Sequence, residues 1–79
     1  MDERTLSRLR WRCRRGMLEN DLLLTRFLDA EGERLSEADA VLMTRLLETP
    51  DNELWDMLSG RSEPDDASLQ PLVQRLRSC

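Results

Sequence analysis

A chain of 79 residues, 39% hydrophobic and 35% charged, reads as one domain spanning residues 1–79, too small to wall off a roomy, dry cleft. All 12 basic residues are arginine and there is no histidine, lysine or tyrosine; that removes the usual general base, the Schiff-base amine and the commonest nitrogen ligand for metals. The net charge of −4 is uneven, with a balance of +4 over residues 1–16 and −8 over residues 17–79, so a basic head on an acidic body points to an acidic partner and away from nonspecific nucleic-acid binding.

The apolar spacing predicts five helices and no strand, an all-α small five-helix bundle. The first is expected over Glu3–Arg15, with Leu6, Leu9 and Cys13 on one face and Gly16 as the helix-ending residue in a left-handed conformation. The second covers Met17–Ala30 and stops near Gly32. Apolar side chains wrap most of its circumference, which predicts the central, most buried helix. Ser36 caps the third, with Asp39 three residues on in a capping-box arrangement. Its apolar side is Val41, Leu42, Met43, Leu46 and Leu47, and Pro50 ends it. The fourth runs Asp51–Ser59 with Leu54, Trp55 and Leu58 inward and Gly60 as its stop. The fifth places Leu69, Leu72, Val73 and Leu76 on one side, with Ser68 as its cap and Pro71 in the tolerant first turn. Residues 60–68 read as loop. No apolar run exceeds four residues, so neither a membrane span nor a signal-peptide core is expected. Cys13 and Cys79 form neither a disulfide framework nor a metal cluster, which suits a reducing cytoplasm.

Two places stand out as candidate binding residues. On a wheel of helix 1, Trp11 falls among Arg4, Arg8 and Arg15, opposite the Leu6–Leu9–Cys13 stripe. Trp and Arg are the types most enriched at interaction hot spots, although an aromatic stacked on a neighbouring guanidinium gives the same pattern. The second place is the junction from Arg14 to Asp21. Two arginines end one helix and two carboxylates, Glu19 and Asp21, start the next, which the helix dipole favours by itself. A glycine between them lets a partner backbone approach. Glu19 and Asp21 lack a third ligand, so no metal site is expected. Asp21 lies between Met17, Leu24 and Leu28 on the wheel and is expected to be partly buried and paired with a helix 1 arginine.

The stretch from Trp11 through Asp21 (WRCRRGMLEND), followed by LLLTRFL, closely resembles the SdhE family of succinate dehydrogenase assembly factors. The family signature R-G-x-x-E is met by Arg15, Gly16 and Glu19. The preceding W-x-C-R, the segment LSEADAVLMTRLLE and a D-x-x-L-W segment extend the likeness over nearly the whole chain. The resemblance implies a non-enzymatic five-helix factor that binds the flavoprotein subunit of succinate dehydrogenase, and in many members of fumarate reductase, and promotes covalent attachment of FAD to a histidine of that subunit. It implies that Arg15, Gly16 and Glu19 sit at the client's flavin-proximal surface, flanked by Arg8, Trp11, Arg14, Met17 and Asp21. No catalytic residue and no stably bound cofactor are expected, and the protein is expected to be a monomer. Asn20 departs from the family, standing where relatives commonly carry an apolar residue. The chain ends at Cys79, soon after the fifth helix, so no role for a longer tail is expected, and the absence of a targeting extension leads to the expectation of a bacterial, cytoplasmic version. An antitoxin-type protein-binding module is the alternative reading, and a nucleic-acid-binding module comes third.

Overall fold

Helices form where apolar spacing and punctuation place them, in a computed structural model that describes residues 3–79. In chain order they are α1 (Glu3–Arg12), α2 (Leu18–Glu31), α3 (Glu37–Leu46), α4 (Asp51–Leu58) and α5 (Gln70–Arg77). Single 3₁₀ turns at Gly32–Arg34 and Ala67–Leu69 lead into α3 and α5, and no strand occurs among the described residues. The bundle is assembled by α1 lying on α3, α2 on α4, and α5 against α2, α3 and α4. Leu9 and Cys13 from α1 and its exit, Phe27 and Leu28 from α2, and Met43, Leu54 and Leu76 from the rest fill one core. Leu6 completes the predicted α1 stripe as a partly buried neighbour of that core.

Caps fix where the elements begin and end. Ser36 and Asp39 form the predicted capping box: Ser36 Oγ accepts the Asp39 amide at 3.0 Å and Asp39 accepts the Ser36 amide at 3.1 Å. Gly60 terminates α4 in a left-handed conformation with φ 89°. There the Arg61 amide donates to Asp56 O and the Gly60 amide to Met57 O, the two bonds of a Schellman turn. Gly32 serves close approach instead, since a Cβ there would lie 3.0 Å from Leu6 Cδ1 of α1.

Several expectations need correction. α1 ends at Arg12 rather than Arg15, with a tightening bond from the Arg14 amide to Trp11 O. Gly16 is not left-handed, because Gly60 alone has positive φ among the described residues. α2 is not buried all round: Leu24, Phe27 and Leu28 face the core, whereas Leu18 and Leu22 are 62% and 56% exposed. Among the described residues none covers Leu18 or Leu22 fully, so apolar composition there overstates burial. Val41 likewise points outward from α3. Ser68 does not cap α5; Asp66 accepts the Ser68 amide and opens the 3₁₀ turn, and Leu69 takes the cap position of α5. Pro71 does fall in the first turn of α5. No helix among the described residues is long and apolar enough to cross a membrane.

Candidate functional site

The outer face of α1 and the turn that leads into α2 carry the residues singled out by sequence. Trp11 is 70% exposed. The Arg14 guanidinium lies over its ring, 5.3 Å from the centroid. Arg8, Arg12 and Arg14 are exposed, and among the described residues none of the three forms an ion pair. This part of the surface is therefore cationic and uncompensated, with a large apolar ring at its centre. The next α1 arginine behaves differently: Arg10 bonds Asp29 of α2 at 2.7 Å and bridges the two helices. A notch between them is lined by Arg10, Cys13, Arg14, Asp21, Thr25 and Leu28.

Arg15 does not join this face. Because α1 stops at Arg12, the helical phase that placed Arg15 beside Trp11 no longer applies, and its side chain turns inward to 14% exposure. There Nε donates to Asp51 Oδ1 at 2.7 Å, Nη1 to Leu47 O at 2.8 Å and Nη2 to Thr49 O at 2.6 Å. Leu47 and Thr49 follow the last residue of α3, where carbonyls lack helical partners, so a guanidinium suits them as a C-terminal cap. Asp51 opens α4 and accepts from three directions. Arg15 and Asn20 meet its Oδ1, the latter at 3.3 Å, and the Met17 amide meets its Oδ2 at 3.2 Å. The Arg15 hydrogen bond above all, helped by Asn20 and Met17, holds the Asp51 carboxyl below its ordinary pKa.

Asn20 is fully buried, at 0% exposure. Its Nδ2 also donates to Asp51 O at 2.9 Å, while its Oδ1 is without a hydrogen-bond partner among the described residues. Asn20 is thus a polar side chain inserted beneath the turn. Gly16 is exposed, and a Cβ built on it would meet Asp51 Oδ2 at 3.6 Å, an ordinary contact. Met17 is half-buried, and Glu19 is exposed in the first turn of α2, where a carboxylate suits the helix dipole. Asp21 is half-buried as expected. Its carboxylate accepts from Thr25 Oγ1 at 3.3 Å, however, and makes no ion pair with an α1 arginine among the described residues.

Of the eight candidate residues, Arg8, Trp11, Arg14, Gly16 and Glu19 are exposed, Met17 and Asp21 are half-buried, and Arg15 is internal. Sequence reasoning missed Asp51, whose only local role is as the first residue of a helix. It also missed Leu18 and Leu22, whose exposure depends on how α2 sits in the bundle. No group of three or more potential metal ligands occurs among the described residues. Cys13 is buried, which raises its thiol pKa to about 12 and leaves it a neutral core side chain.

Fold and surface define a class: a small all-helical protein with an exposed cationic, aromatic face beside a turn tied down from within. Comparison with known proteins makes this specific. Residues 7–79 match the family described as flavinator of succinate dehydrogenase. The protein named FAD assembly factor SdhE from Ralstonia nicotianae is 44% identical over 77 residues, covering 98% of this chain and 81% of that protein. The protein of the same name from Legionella pneumophila strain Paris is 44% identical over 79 residues, covering 100% of this chain and 99% of its own length. A third, from Shewanella oneidensis, is 42% identical over 77 residues, covering 98% and 94% respectively. The chain belongs to the family of flavinators of succinate dehydrogenase, the FAD assembly factors.

Proposed function

We propose that this protein binds the flavoprotein subunit of succinate dehydrogenase, and that of fumarate reductase where present, and promotes covalent attachment of FAD without itself being the catalyst. The observation that carries this reading is the exposed Trp11–Arg14 stack on a face of unpaired arginines, next to the turn bearing Gly16 and Glu19. Such a face is suited to an acidic protein surface with an apolar recess, since aromatic and arginine side chains dominate hot spots. The chain has no histidine, so the residue that takes the flavin belongs to the client. The factor's contribution is then positional: holding reacting groups in line can lower a barrier by ~7–11 kcal/mol. In this reading the flavin is bound by the client, the factor needs no stable FAD or metal of its own, and it works as a monomer in the cytoplasm.

The test is production of the client subunit in cells lacking their own factor, with and without this protein. Covalent flavin is read as fluorescence of the client band in a denaturing gel. A strong band only with this protein supports the proposal; equal bands in both arms overturn it.

A further inference from the structure

The bonds around Asp51 join two turns that are far apart in sequence. On one side lie Arg15, Met17 and Asn20, from the connection between α1 and α2 and the first turn of α2. On the other lie Leu47, Thr49 and Asp51, from the connection between α3 and α4. Met17 occupies the cap position of α2 but supplies no side-chain cap. The carboxylate of a different helix receives its amide instead. The guanidinium is the only side chain with donors in a fork wide enough to take a carboxylate and two diverging carbonyls together. Asn20 spans the same gap, with its Nδ2 shared between the backbone and side-chain oxygens of Asp51.

Resting on the assembly-factor reading above, we propose that Arg15, Asn20 and Asp51 form an internal latch that presets the turn carrying Gly16 and Glu19. Arg15 and Asp51 are then positioning residues and not contacts to the client. The orphaned Asn20 Oδ1 supports this. A buried polar atom left unpaired is costly, and in the same side chain the amide nitrogen offsets that cost by holding Asp51 through its backbone and carboxylate oxygens. A Cβ built on Gly16 would lie 3.6 Å from the same carboxylate, and the next residue's amide, that of Met17, is bonded to it, so a shift of Asp51 pulls on the backbone of the motif.

A role in positioning is separable from a role in stability because the molecule contains a matched control. Arg77 makes three similar bonds at the α4–α5 end, to Met57 O at 2.8 Å, Ser62 O at 2.8 Å and Glu63 Oε1 at 3.2 Å. Asp51→Ala and Arg77→Ala are compared at temperatures chosen to give equal folded fractions. Two readouts are taken: hydrogen exchange of the Met17 amide in the isolated protein, and the rate of covalent flavin attachment to the client. The expected result is Met17 exchange at least tenfold faster in Asp51→Ala and unchanged in Arg77→Ala, with flavin attachment slowed about tenfold only in Asp51→Ala. Unchanged Met17 exchange in Asp51→Ala overturns the latch, as does equal flavin attachment by the two variants. If the unaltered protein fails to promote attachment, the assembly-factor reading fails. The exchange measurement still decides whether the latch holds the turn.

Discussion

Replacing Trp11 by alanine separates binding from folding most cleanly. With 70% of its surface exposed, the side chain leaves about 150 Å² of largely apolar area in water, taking ~200–250 Å² for a whole tryptophan. Burying that area at ~25 cal/mol/Å² is worth about 4 kcal/mol gross, of which a hot spot commonly keeps ~2 kcal/mol or more after ordering costs. The isolated fold loses little by comparison. The stack on Arg14 is worth ~0.5–1 kcal/mol at an exposed site, and alanine returns up to ~0.7 kcal/mol through its better helix propensity. Trp11→Ala is therefore expected to weaken client binding about 30-fold, read by titration calorimetry against the purified flavoprotein subunit. Its Tm, read by scanning calorimetry, is expected to move by less than about 4 °C. A Tm loss matching the binding loss, or unchanged binding, would refute the assignment of this face.

Gly16→Ala is expected to leave Tm within about 2 °C of the parent, because φ is not positive there and the added Cβ makes only an ordinary contact; Gly16→Arg is expected to fold yet fail to support flavin attachment, checked by circular dichroism and gel fluorescence. Among the two cysteines, exposed Cys79 is expected to react with a thiol reagent at pH 8 while buried Cys13 does not, giving one equivalent native and two in denaturant. Because the Cys13 thiol titrates at about 12 folded against 9.0 ordinarily, its contribution to stability is complete below pH 9.0 and declines as pH rises toward 12. Asp39, Asp51 and Asp66 have the opposite sign. Their folded pKa values lie below the ordinary 3.8, so the stability they add is present above that pH. A Tm that is flat from about pH 5 to 8 and falls as pH drops below the ordinary 3.8 and through the lowered folded values is expected, and the absence of an acid-side fall would contradict these hydrogen-bonded assignments.

What the sequence made legible was local. Apolar spacing and punctuation place all five helices, and the Ser36–Asp39 box and the Gly60 stop can be named because each depends on residues within one turn. The outward placement of Trp11 follows equally from the phase of α1. The end of α1 was not legible, since Arg14 and Arg15 are good helix formers in a position that suits the dipole. The chain leaves the helix because Arg15 has partners at Leu47, Thr49 and Asp51, and no window of local sequence contains them. For the same reason Asn20 could not be given its partner, Asp51, from the sequence. Leu18 and Leu22 were misread because composition cannot tell which side of an apolar helix lacks a neighbour.

The long reach of Arg15 has a consequence for the order in which the protein becomes competent. Its partners lie 32 to 36 positions further along the chain, so closing that loop requires α3 and the start of α4 to be in place. A nascent chain that has emerged only through α2 already carries Trp11 and the whole R-G-x-x-E motif, yet lacks every partner that Arg15 bonds in the folded protein. If the latch presets the motif, competence arrives with the second half of the chain. Fragments from incomplete synthesis or proteolysis between α2 and α4 would carry the motif without displaying it, and so would compete poorly with the intact factor.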